Sequence, residues 1–189
     1  MTNYHPQDVL AFWFGTGADQ GKRHRRWFEK DAAFDAEVTR LFLALYEQRA
    51  GDREWLGDAP ACLARILVLD QFARHMFRAN ARAFAADALA LETARITVER
   101  GYDRTMLPVE RLFAYLPFEH SESLADQRRA CELTEPLAAF PQTDDAHRYA
   151  IAHREIIERF GRFPHRNAAL GRVSTAEEIE FLRQPGSAF

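Results

Sequence analysis

Lysine is almost missing from this chain. Lys22 and Lys30 are its only two, so 23 of the 25 basic residues are arginines. Cationic recognition here must therefore be planar and forked, not that of a compact ammonium. Cysteine is as scarce: Cys62 and Cys131 lie far apart with no second pair, which argues against a disulfide framework or a cysteine-rich metal site and for two reduced core residues. No eighteen apolar residues occur in a row, and no basic stretch precedes a long apolar one. Neither a membrane span nor a leader is expected, and we read the protein as cytoplasmic. A basic surplus is missing too. With a formal net charge of -3 and a pI near 6.2, the chain is not built as a nucleic-acid binder, and any basic patch must be local.

Motifs of familiar chemistry are also absent. There is no His-Glu-x-x-His pair, no phosphate-cradling glycine loop, no dinucleotide fingerprint and no serine, cysteine or threonine in a nucleophile elbow, so no metal and no cofactor is expected. No segment alternates apolar and polar residues long enough to make a strand, and no Asn-Gly or Asp-Gly turn separates two strand candidates.

What is present is helical periodicity. The 189 residues, 47% hydrophobic and 12% aromatic, are enough for one well-cored domain spanning 1–189. Pro6 opens a helix through Phe14 that Gly15 and Gly17 close. Phe34, Val38, Leu41, Phe42 and Leu45 repeat as the stripe of an amphipathic helix over 31–49. A helix over 62–77 is apolar nearly all round and belongs in the middle of the protein. Further helices are expected over 84–100, from Pro108 to an interruption at Pro117, from about Leu124, and over 144–160 ending at Gly161. A Ser174-Thr175-Ala176-Glu177 capping box opens a last one through Leu182. The fold class is therefore all-α. We expect antiparallel helical hairpins in a right-handed, tetratricopeptide-like stack of about 7–9 helices, the pairs repeating at roughly 34 residues.

Polar chemistry concentrates in three places. On the central helix, Asp70, Arg74 and Arg78 follow i, i+4, i+8, with Gln71 and His75 beside them and Arg82 in the connection beyond. Such a set either satisfies itself internally or faces a cleft and holds an anion. Glu119, Glu122 and Asp126 would share a helical face next to His120, as counter-charge for arginines or as acid–base groups. The densest stretch is Arg159 to Asn167, with Arg162, His165 and Arg166 around Gly161 and Pro164. His153 falls on the same helix face as Tyr149, Ile156 and Phe160, and so looks inward towards it. Phe163 before Pro164 is driven towards extended backbone, which sends these groups out on a shaped loop. Asp70, Glu119 and Glu122 are the expected partners of its arginines.

The residues Asp8 to Gly15, Leu69-Asp70-Gln71-Phe72 with Arg74 and Phe77-Arg78, Leu116 to Glu122, Arg159 to Asn167, and Leu170-Gly171-Arg172 resemble an uncharacterised family of bacterial proteins, a domain of unknown function. The resemblance spans essentially the whole chain and implies an all-helical, tetratricopeptide-like fold, with no established reaction to transfer. The family commonly has proline after Asp-Gln-Phe, where this chain has Ala73.

The residues point first to a binding module: an arginine-lined concave cleft that holds an acidic peptide or a small anion. Its ligand-binding set is Asp70, Gln71, Arg74, Arg78, Arg82, His153, Arg159, Arg162, Arg166 and Asn167. The alternative is a hydrolase or lyase acting on an anionic small molecule, with Glu119, His120, Glu122 and His165 as candidate acid–base groups. A third reading makes the whole set a structural polar network. No nucleic-acid or membrane partner is expected, and the oligomeric state is open.

Overall fold

The computed structural model describes residues 4–187, and helix is the only regular structure among them. Helix α1 (Pro6–Phe14) opens on Pro6, and its end plugs Trp13 and Phe14 into the core. Helix α2 (Ala32–Gly51) starts where the Asp31 side chain accepts from the amides of Ala33 and Phe34, two of the donors every helix start leaves unpaired. It ends at Gly51, the glycine that closes the periodic stretch over 31–49. Helix α3 (Ala59–Ile66) is capped by Asp58 and continues without a break into a π-helical turn (Leu67–Phe72) and then α4 (Ala73–Met76). All six residues of the π turn are buried.

A 3-10 turn (Ala81–Phe84) then holds back the start of α5 (Asp87–Glu99). The Asn80 side chain caps that turn on the Arg82 amide, so the helix begins later than alanine content alone suggests. Helix α6 (Pro108–Glu119) corrects the expected interruption at Pro117, because it runs straight through that residue. Proline deletes one donor inside a helix, but the His120 amide still bonds the Leu116 carbonyl. The carbonyls at the end of α6 are gathered by Gln127, whose amide donates to Glu119 and Ser121, each at 2.6 Å.

Helices α7 (Leu124–Thr134) and α8 (Ala146–Phe160) complete the stack, and Gly161 ends α8 in the left-handed region at φ 67°. Helix α9 (Ala176–Leu182) begins with a capping box one residue later than expected. Thr175 and Glu178 form it, not Ser174 and Glu177, because Glu178 is the residue held in place by Arg162.

The helices pack largely in chain order, α5 on α6, α6 on α7 and α7 on α8, with α1 on α3 and α2 along the π turn and α4. The main core is aromatic at its centre. Trp13 lies within 5.4–6.1 Å, ring to ring, of Phe113, Phe72, Trp27 and Phe34, stacked on Trp27 and tilted or edge-on to the others. A smaller cluster of Ile156, Ile157 and Phe163 forms a second apolar centre with Leu124, Phe160 and Phe181.

Candidate functional site

Between the two apolar centres lies a buried polar one. The π turn delivers Asp70, whose side chain is fully buried. Three groups converge on its carboxylate. His120, just past the end of α6, places Nδ1 2.7 Å from Oδ1, Gln71 donates from Nε2 to Oδ2 at 2.6 Å, and Arg74 brings Nη1 to 3.0 Å from Oδ1. Burial works against the charge on Asp70, but the Arg74 guanidinium first, and then His120 and Gln71, hold its carboxyl below the usual carboxylate range. A π turn widens the helix by one residue per turn and recurs at functional sites. Here it turns Asp70 and Gln71, neighbours in sequence, towards one another inside a run that is otherwise apolar.

Arg74 also forks onto Asp87, the first residue of α5, at 3.0 and 3.1 Å. Asp87 in turn accepts from Arg166 Nη1 at 3.2 Å. That single bond is the only hydrogen bond the Arg166 side chain makes among the described residues, and its Nε is buried without an acceptor. The guanidinium lies over the rings of Phe84 and Phe163 at 4.7 and 4.6 Å, and the residue is only 6% exposed. Burial and then the nearby Arg74 charge push its pKa down to about 10.

Glu119 and His153 close the far side. Their atoms approach to 3.6 Å, yet both are neutral near pH 7. Burial, then the charges of Asp70 and Asp145, raises Glu119 to about 8, while burial, then His120, lowers His153 to about 3. His153 Nδ1 is 2.8 Å from the Tyr149 carbonyl oxygen. His165 is lowered to about 4, by burial and then by Arg166. His120 is also lowered, by burial and then by Arg74. Its ring keeps some solvent access, with the side chain 13% exposed.

The structure therefore brings together Asp70, Gln71, Arg74, Glu119, His120, His153, His165 and Arg166. It sends the other predicted residues elsewhere. Arg78 forks onto Asp35 of α2 at 2.8 and 2.7 Å, because α4 has ended before it. Arg82 lies over the Phe77 ring at 4.0 Å and near Glu47. Arg159 pairs with Glu177, and Arg162 forks onto Glu178 at 2.6 and 2.8 Å. Asn167 donates to Ser174 and Glu178. The expected face of Glu119, Glu122 and Asp126 does not form, since the chain leaves the helix between α6 and α7. Glu122 instead takes Arg172 in a fork and the Phe163 amide at 2.8 Å, and Asp126 takes Arg95 and Ser121. Of the three carboxylates expected to neutralise the Arg159 to Asn167 segment, Glu122 reaches its backbone at Phe163, while Glu119 meets none of its arginines.

Asp87 and Phe84 are the site residues that sequence reasoning did not single out. Asp87 carried a usable signal: it is the lone acidic residue between Asp70 and Glu92, so any buried cation packed on that helix start had one local partner.

Such a centre, one buried and one half-buried carboxylate against two guanidiniums inside an all-helical stack, is a feature of this fold and names no reaction by itself. The chain belongs to a family described as bacterial protein of unknown function (DUF924), whose model matches residues 9–186. It is similar to a solved protein of unknown function from Agrobacterium tumefaciens, with 41% identity and a TM-score of 0.82 over 94% of this chain and 96% of that one. No curated protein matches it. Among the described residues, no helix is long and apolar enough to cross a membrane.

Proposed function

We propose that this chain binds a small anionic molecule, such as a carboxylate or the acidic end of a short peptide, at the buried polar centre, with Arg166 as its principal anchor. The observation that carries this reading is the donor count of Arg166. A guanidinium offers five N–H donors, and burying them without acceptors is costly, yet Arg166 meets one acceptor and two ring faces. An anion with two acceptor atoms would fill that deficit in the forked geometry arginine favours. Arg74 adds a second positive charge next to it, and His120 a further polar atom.

The anchor's depth favours a small carboxylate over an extended peptide, because only a narrow group reaches a guanidinium this deeply covered. The arginines at Arg78, Arg82, Arg159 and Arg162 are outside this site, which is accordingly smaller than an arginine-lined concave face. A tetratricopeptide-like stack and a cytoplasmic setting remain part of the reading, supported by the consecutive packing of α6, α7 and α8 and by two free buried cysteines.

The test is a thermal-shift series with succinate, acetate, benzoate and phosphate. A ligand that binds only the folded state raises its midpoint in proportion to occupancy. At least one carboxylate is expected to do so for the unsubstituted protein and not for Arg166→Met. A shift that survives in Arg166→Met places the anion elsewhere.

A further inference from the structure

We propose that the anion is an ester and that His120 is the general base that activates water for its hydrolysis, with Asp70 as the positioning residue. The proposal rests on the anion-binding reading above and adds the reaction. The Asp70 carboxylate holds His120 Nδ1 at 2.7 Å and is itself fixed by Gln71 and Arg74, so the ring's tautomer and orientation are set: Nδ1 carries the hydrogen and Nε2 carries the lone pair. A carboxylate behind an imidazole is the arrangement that aligns a base and stabilises its protonated form. No protein group takes the other nitrogen of His120, whose every contact among the described residues is through Nδ1 or the ring face.

The base has no side-chain nucleophile to serve. Ser121 Oγ is committed to Asp126 at 2.8 Å, and Cys131 is buried under Arg154. The attacking group is therefore water. Its proton passes to Nε2 as its oxygen bonds to the ester carbonyl carbon, and the carbonyl electron pair moves to oxygen. The donors of Arg166 hold the substrate's carboxylate, and the fixed positive charges of Arg74 and Arg166, both of which act on His120, favour the oxyanion as it forms. When the carbonyl re-forms, the bond to the alcohol oxygen breaks, and the departing alkoxide takes the proton back from Nε2. One ester and one water give one acid and one alcohol. Glu119 plays no direct part: it is 1% exposed and sits against His153. The charges facing His120 are Asp70 from the π turn, Arg74 from α4 and Arg166 from the turn after α8, with His153 of α8 across from its ring. Together they leave the imidazole unprotonated near neutral pH, as a base must be.

The experiment compares the monoanionic ester 4-nitrophenyl succinate with neutral 4-nitrophenyl acetate, and follows succinate binding by calorimetry on the same samples. The expected result is kcat/KM at least tenfold higher for the anionic ester. His120→Gln should lose roughly 100-fold or more in kcat, the scale of a missing general base, while still binding succinate. Asp70→Asn should lower kcat and move the acidic limb of the pH profile, where the base takes up its proton, to lower pH, which a merely structural loss would not do. Added imidazole should restore turnover to His120→Gly, so that the proposal does not hang on the folding of the Asp70 variant. Succinate binding with hydrolysis no faster than in His120→Gln, or none above buffer, overturns the proposal. Hydrolysis that depends on His120 without succinate binding leaves the base standing and sinks the anion reading instead.

Discussion

Arg162 and Arg166 are four residues apart and have opposite fates. Arg162 forks onto Glu178 through two bonds and adds a third to the Val173 carbonyl, while Glu178 completes the cap of α9 and receives Asn167. Arg172 repeats the pattern on Glu122 and the Phe163 carbonyl. Each of these arginines makes three side-chain hydrogen bonds, and together they tie the C-terminal segment to the end of α8 and to the connection between α6 and α7. Arg166, deeper than either, has one bond and two rings. The same residue type thus serves as a lock where its donors are matched and as a receptor where they are left over, and it is the acceptor count, not the arginine density, that separates the two.

The largest blow to this contrast is expected from Asp70→Ala. It strands Arg74 and His120 without their shared carboxylate, and removing one partner of a buried pair costs about 3–5 kcal/mol. A denaturant midpoint that barely moves would mean that the inner centre is far wetter than its burial says. Next comes Glu119→Gln. A carboxyl raised to about 8 in the folded protein keeps its proton there after an unfolded one, near its ordinary value, has lost it. Stability from this group is therefore full below the unfolded pKa and falls as pH rises from about 4.5 to 8. The variant should gain roughly 3 kcal/mol relative to the unsubstituted protein between pH 5 and pH 8. His153 and His165 pull the other way, because both are lowered in the fold. Their contribution is lost as pH falls from about 6.5 towards 4, so the unsubstituted protein should be most stable near pH 6.

Smaller still is Arg166→Met. Exchanging an under-bonded buried cation for an apolar chain of similar length is expected to leave stability unchanged or raise it by about 1 kcal/mol, in equilibrium unfolding without ligand. Clear destabilisation would move Arg166 from receptor to lock. Arg162→Ala should have the mildest global effect, because Arg162 is itself partly exposed and the buried Glu178 keeps its bonds from Asn167 and the Thr175 amide. Its signature is local: faster proteolysis or amide exchange in α9, with α3 to α6 unaltered.

Helix positions were legible because periodicity, proline starts and glycine stops are local signals, and Gly161, Pro6 and Pro108 sit where those signals put them. Pro117 was misjudged because a rule about one residue competes with a whole helix packed on both sides. The candidate site was legible in its parts but not in its pairing. Asp70 and Arg74 share a turn, so their contact could be read from spacing. Arg166 and Asp87 are 79 positions apart, and nothing local relates them. Of the outer acids only Glu177 was read as a helix-start residue, and the grip of Glu177 on Arg159 and of Glu178 on Arg162 follows only once α9 folds back beside α8.

The π turn has a consequence for chain length. A helix advances about 100° per residue, and the wide turn over 67–72 holds one residue more than an α-helical path of equal span would. Dropping Val68 would let the segment close into ordinary α geometry and swing Asp70 around the helix axis relative to everything that follows. His120 would then face a different side of α3 with no charged residue altered. The central site is thus specified by a count as much as by its composition, and a single-codon deletion in an apolar stretch is enough to dismantle it.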